Sequence, residues 1–257
     1  MASFKNQIPN LITLSNLFCG CLAIFFIYDG QLSIASFLVL LAALLDFADG
    51  LVARLLKVSG EMGKQLDSLA DMVSFGLVPG TLAFCYLQTS LAQNGLVENG
   101  WSILKFFPFI ITLFSAYRLA KFNIDTRQTQ DFIGLNTPAN TLLWISLPLF
   151  FKFQKPFLTN ENFILLPISN FYSSLVDSPF LLCFLSIICS LMLVSEIRIF
   201  SLKFKHFNWR GNEMKFIFLG LSLFLLSTLW FAALPIVIIL YVILSIIQNQ
   251  IKKKHAV

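Results

Sequence analysis

The sequence predicts an all-α fold, a polytopic integral membrane helix bundle of about eight transmembrane helices. Three observations carry that reading. Of 257 residues, 57% are hydrophobic and only 12% charged, about half the charge that a soluble domain needs to cover its surface. Phe alone occurs 29 times. Apolar runs close to the length of a membrane span, about 20 residues, recur along the chain, with no polar linker to divide it. The chain therefore reads as a single membrane domain, 1–257, with a core over about 8–200 and a C-terminal helix pair over about 214–251.

The spans follow in order. The first, 10–28, comes after the polar stretch MASFKNQIPN. It has no small-residue cleavage site, so it reads as a span and not as a signal peptide. The second and third, 32–54 and 67–91, flank a polar segment. The fourth is 102–122, and the fifth, 137–153, is short. The sixth is 178–199. The seventh and eighth, 214–232 and 234–251, are separated only by a break that Pro235 marks. The five cysteines lie in apolar segments without metal-ligand spacing and read as buried, reduced thiols.

Charge orients the bundle. With an even number of spans, both termini share one side. The loops on that side hold 15 of the 18 Lys and Arg residues: Lys5, Arg54, Lys57, Lys64, Arg118, Lys121, Arg127, Arg198, Lys203, Lys205, Arg210, Lys215, Lys252, Lys253 and Lys254. Only Lys105, Lys152 and Lys155 face the other way. The positive-inside rule places both termini in the cytoplasm, as in a bacterial inner-membrane protein. The basic residues are spread over several loops without a stacking platform, which argues against nucleic acid as a partner.

The segment DFADGLVARLLKVSGEMGKQLDSLAD, from Asp46 to Asp71, carries four aspartates in a chain with only 13 acidic residues. Asp46 and Asp49 are three apart; Asp67 and Asp71 are four apart. Each pair shares a helix face, and a short turn brings the pairs together near the cytoplasmic surface. An acid at the bilayer centre costs about 2.5–3.5 kcal/mol on insertion scales, and Arg54 alone does not balance four. A divalent cation would, and hard oxygen ligands favour Mg²⁺, Mn²⁺ or Ca²⁺. Gly50 lets a phosphate approach the backbone, Arg54 lies on the same face and can grip it, and Gly60 and Gly63 suit the turn.

Asp46, Asp49, Gly50, Ala53, Arg54, Gly63, Asp67 and Asp71 fill the pattern D-x2-D-G-x2-A-R-x8-G-x3-D-x3-D, which resembles the signature of the CDP-alcohol phosphotransferase family. IPNLITLSNLFCGCLAI from Ile8, and YRLAKFN with FIGLNTPAN between Tyr117 and Asn140, resemble the membrane-bound phosphatidylserine synthases within it. Those enzymes more often have Arg where Lys121 stands and an apolar residue in place of Asn136. The resemblance implies transfer of the phosphatidyl group of CDP-diacylglycerol to L-serine with release of CMP, by a homodimer that depends on Mg²⁺ or Mn²⁺. Asp46, Asp49 and Asp67 would ligate a first metal. Asp71 would join Asp67 at a second or act as general base, making Asp67 and Asp71 the catalytic pair. Gly50, Ala53, Arg54 and Ser59 would line the nucleotide site, with Asn10 and Thr13 near the cytidine or its phosphate; Asn10 reads equally well as a helix N-cap. The serine carboxylate needs a cation. Arg118 and Lys121 share a helix face; Asn123, Asn136 and Asn140 are weaker candidates for the ammonium or the ribose. The same chemistry on glycerol 3-phosphate, inositol phosphate or choline stays open, as does a divalent-cation transporter.

Overall fold

The computed structural model of the protein describes residues 4–58, 60–125, 127, 132–157, 165–202, 208, 209 and 212–255. Ser59, Lys203, Lys205 and Arg210 lie outside them, as do the side chains of Lys5, Lys252, Lys253 and Lys254.

Helices dominate, in the order α1 (Phe4–Tyr28), α2 (Leu32–Leu56), α3 (Glu61–Asp71), α4 (Val78–Gln93), α5 (Ile110–Ile124), α6 (Thr137–Leu149), α7 (Leu165–Asp177), α8 (Pro179–Val194), α9 (Glu213–Leu229) and α10 (Ala233–His255). Two short strands, β1 (Phe132–Ile133) and β2 (Arg198–Ile199), pair antiparallel.

α1 and α2 form an antiparallel hairpin. Its turn is closed by Gly30 at φ 76: Gln31 N–H donates to Phe26 O and Gly30 N–H to Ile27 O, the Schellman pattern. The C-terminus of α2 repeats it with Lys57 in the left-handed position at φ 52, Val58 N–H donating to Ala53 O. The turn before α3 therefore rests on Lys57. Gly60 is extended at φ −170, which any residue adopts, and Gly63 lies inside α3. The expectation that both glycines make the turn is corrected: Gly63 packs beside Asn10, whose Oδ1 would sit 3.4 Å from an added Cβ.

α3 continues through a π-helical segment, Met72–Leu77, into α4, one run from Glu61 to Gln93. Wide winding of this kind frees carbonyls from the regular ladder, and hydroxyls from other helices meet this segment. Thr141 of α6 donates to Phe75 O at 2.9 Å and Thr112 of α5 to Gly76 O at 3.0 Å, while Ser74 itself donates to Asn16 O of α1 at 3.0 Å. The helices are close enough that a Cβ on Gly20 would collide with Ser74, and one on Gly80 with Thr112. In a membrane, where lipid competes with apolar packing, small residues and interhelical hydrogen bonds of roughly 0.6–2 kcal/mol each carry much of the association.

Five helical runs among the described residues are long and apolar enough to cross a membrane, or six if α7 and α8, bent by 95° at their junction, form one span. Together they make a polytopic membrane bundle, although the eight spans read from the sequence are not all reproduced. The fifth is the short α6, and the sixth is the 16-residue α8, which Ser178 caps through its hydroxyl to Leu181 N–H. The run Glu213–Ile251 folds back at Trp230, φ 48, because the rings of Phe218 and Tyr241 meet at 5.1 Å. Gln154 fastens that break, donating to Leu229 O at 2.9 Å and accepting from Ala232 N–H at 3.0 Å.

One core, around Phe75, Leu82, Trp144 and Phe150, lies between α1, α2, α4, α6 and α8; a second, around Phe200, Phe218 and Tyr241, joins α9 and α10 to β2. All five cysteines are free; Cys19 and Cys189 are buried, but Cys21 is exposed on the bundle surface, which corrects the expectation of five buried thiols.

Gly134 follows β1 at φ 78, where an added Cβ would lie 2.5 Å from Leu193 O. Gly134→Ala is expected to destabilise the protein by at least the roughly 1–2 kcal/mol of left-handed strain, read as a lowered midpoint of thermal unfolding in detergent.

Candidate active site

The i, i+3 spacing at the end of α2 and the i, i+4 spacing in α3 do what their periods dictate. Asp46 and Asp49 face Asp67 and Asp71 across the turn. Asp46, Asp49 and Asp67 each offer a carboxylate oxygen within 4.8 Å of the others, so the three could hold a metal ion. Asp71 stands outside that triad but adjoins Asp46 and Asp67. Its Oδ1 is buried and has no hydrogen-bond partner.

Two residues of α1 complete the inner wall. Thr13, buried, donates its hydroxyl to Asp49 Oδ2 at 2.5 Å. It thus orients a carboxylate, where the sequence had suggested a contact to the nucleotide. Asn16 is fully buried, with its side-chain amide turned to the Asp71 carboxylate. The sequence reading passed over Asn16; its signal is the three-residue step from Thr13, which puts both on the face of α1 that meets α3. Asn10 lies on the same side of α1, half-buried. Because α1 begins at Phe4, Asn10 is inside the helix, and its reading as an N-cap is corrected.

On the outer side, Gly50 and Arg54 are exposed and Ala53 is half-buried. A Cβ on Gly50 would meet nothing within 4 Å, so this face is open to a ligand. Arg54 forms no ion pair among the described residues. Ser59, also expected here, lies outside the described residues.

The acceptor candidates separate. Arg118 of α5 is buried, lies within electrostatic reach of Asp71, and leaves its Nε without a partner. Lys121 points elsewhere, its Nζ 2.7 Å from Glu196 Oε1. That hydrogen bond and charge hold the Glu196 carboxyl below the usual carboxylate range. Asn123 ties α5 to the aspartate helix, donating to Ser68 Oγ at 2.8 Å and accepting from Lys64 Nζ at 2.8 Å through its main-chain oxygen. Asn136 caps α6 by accepting from Ala139 N–H at 3.1 Å. Asn140 is fully buried with both side-chain polar atoms unpaired, and Ser115 and Thr137 are likewise buried with unpaired hydroxyls. Buried polar groups are normally paired; among the described residues Asp71 Oδ1 and Arg118 Nε, near one another, lack a partner, so this place could take a polar ligand.

Comparison with known proteins places the chain in a family. Residues 6–175 match the family model described as CDP-alcohol phosphatidyltransferase. The CDP-diacylglycerol–serine O-phosphatidyltransferase of Helicobacter pylori is 35% identical over 137 residues, 52% of this chain and 54% of that protein. The protein of the same name from Bacillus subtilis is 34% identical over 133 residues, covering 52% and 70%. The archaetidylserine synthase of Methanothermobacter thermautotrophicus is 35% identical over 134 residues, covering 51% and 53%. The match thus spans about half the length of the Helicobacter and archaeal relatives. Since the family model covers more than half of it, the chain belongs to the CDP-alcohol phosphatidyltransferase family.

If the triad holds a divalent metal, saturating Mn²⁺ at about a hundred times its Kd stabilises the fold by roughly 2.7 kcal/mol. That stabilisation appears as a rise in thermal midpoint, reversed by EDTA and absent in Asp49→Asn.

Proposed function

We propose that the protein is a membrane phosphatidyltransferase that moves the phosphatidyl group of CDP-diacylglycerol to the hydroxyl of L-serine and releases CMP. The observation that carries the reading is the carboxylate triad at one end of an apolar bundle, with the half-buried Asp71 and the buried Arg118 beside it. The names of the relatives support serine as the acceptor.

Asp46, Asp49 and Asp67 would hold the divalent metal, Mg²⁺ or Mn²⁺, which when bound supplies charge neutralisation and polarisation at a pyrophosphate. Thr13 fixes Asp49 in its ligating orientation. Gly50 and Ala53 leave room for the nucleotide phosphates on the open face of α2, and Arg54 supplies an exposed cation to them. The serine Oγ attacks the phosphorus that carries the diacylglycerol, and the bond from that phosphorus to the CMP oxygen breaks. Asp71 Oδ1, buried and unpaired, takes the proton from the serine hydroxyl as the new bond forms. Arg118 receives the serine carboxylate, with the amide of Asn140 available to its remaining polar atoms. Lys121 and Asn123 serve the scaffold, one through Glu196 and the other through Ser68.

The distribution of Lys and Arg supports an active site and both termini on the cytoplasmic side, in a bacterial inner membrane. The family resemblance supports a homodimer, with one membrane domain per chain.

Two variants test the reading. Asp71→Asn is expected to lower CMP release by about a hundredfold or more, as loss of a general base does, while the protein remains folded in detergent; full activity would remove Asp71 from the chemistry. Arg118→Ala is expected to raise KM for serine more than KM for CDP-diacylglycerol. Equal effects on both would take carboxylate recognition away from Arg118.

A further inference from the structure

A cavity open to the surface lies at the end of the bundle away from the carboxylates. The α1–α2 turn, the continuation of α6 and the end of α7 border an open cleft of about 650 Å³, within the size range of small-molecule sites. Leu32 lines it, and Leu32 and Asp46 belong to the same helix, so the cavity is roughly 21 Å from the carboxylates at 1.5 Å per residue. Its polar lining is Gln31, Ser33, Lys152, Lys155, Ser173 and Asp177.

The charge here needs an account. Only three of the 18 Lys and Arg residues fall on the translocated side in the charge-based topology, and two of them, Lys152 and Lys155, line this cavity. Cations on that side oppose the positive-inside bias. Neither forms an ion pair among the described residues, and Asp177 is the lone acid in the lining. One positive charge is left over. Lys155 is held in place: Nζ donates to Ser173 Oγ at 3.1 Å and sits 4.9 Å from the Phe151 ring centroid. The end of α7 is anchored too, since Asp177 O accepts from Ser90 Oγ and Asn94 Nδ2, each at 2.8 Å. Two lysines, one carboxylate and hydroxyls at the level of the interface match a ligand with one phosphate and one ammonium.

We propose that this cavity binds the headgroup of an aminophospholipid of the far leaflet, its phosphate diester between Lys152 and Lys155 and its primary ammonium at Asp177. The site is independent of the transfer reaction. A phosphate alone would satisfy the lysines and leave Asp177 unpaired, while a choline headgroup brings no N–H donor to the carboxylate.

The experiment titrates the full-length protein in detergent with dihexanoyl-phosphatidylethanolamine, dihexanoyl-phosphatidylcholine or inorganic phosphate, following thermal unfolding. Phosphatidylethanolamine is expected to raise the midpoint more than phosphatidylcholine, and inorganic phosphate least. Lys152→Gln/Lys155→Gln is expected to weaken the apparent affinity about tenfold or more; it removes charge that opposes insertion, so it folds as the parent does. Asp177→Asn, which keeps the main-chain anchor, is expected to erase the preference between the two lipids. Asp71→Asn is expected to keep the full response. A response unchanged in the lysine double variant, or lost in Asp71→Asn, would overturn the proposal. Equal responses to both lipids in the parent would overturn the aminophospholipid assignment, and an equal response to inorganic phosphate would assign the cavity to a free anion.

Discussion

Three carboxylate oxygens within 4.8 Å of one another at the rim of an apolar bundle set the terms for everything else. Ionised, each pair at that distance repels by about 3.5 kcal/mol at an effective dielectric near 20. Among the described residues no cation of the protein forms an ion pair with these carboxylates. Arg54 is exposed on the outer face, and Arg118 is buried on the side of Asp71. A divalent cation among the carboxylates converts three repulsions into attractions. That constraint explains why the acids come in helical pairs, and why Thr13 supplies its hydroxyl to Asp49 at 2.5 Å.

Holding four acids in register requires a stiff frame, and lipid gives little help, since it solvates leucine as well as a neighbouring helix does. The frame comes from polar staples and close backbones. Asn123 and Lys64 join α5 to α3. The π segment directly after Asp71 meets hydroxyls of Thr141 and Thr112 and binds α1 through Ser74. Gly20 and Gly80 allow the approach that these bonds need. The wide turn of the π segment thus adjoins the residue assigned the proton, and its geometry is set by three separate helices.

The carboxylates were legible in the sequence because i, i+3 and i, i+4 spacing is local, and the two helices that carry them are neighbours in the chain. What the sequence did not disclose depends on distant partners. The π segment at Met72–Leu77 has no local signature, since hydroxyls on α5 and α6 stabilise it. Lys121 was read as a second candidate behind Arg118, and Glu196, 75 residues away, holds it. Asn10 looked like a cap because α1 was read as starting later than Phe4. The sixth span was read from residue 178, where Ser178 followed by Pro179 is a helix-start signal, but α7 before it, bent from α8 by 95°, was not read as a helix.

The protein thus has two polar ends separated by an apolar middle. One is acidic, with three carboxylates that could hold a metal; the other carries two lysines beside a cleft roomy enough for a headgroup. The most direct test of the acidic end is a CMP-release assay on the purified protein with CDP-diacylglycerol, Mg²⁺ and a panel of acceptors: serine, glycerol 3-phosphate, inositol phosphate and choline. The account predicts CMP release with serine alone, abolished by EDTA and restored by Mg²⁺ or Mn²⁺. Release that persists in EDTA, or no release with any acceptor, would contradict it.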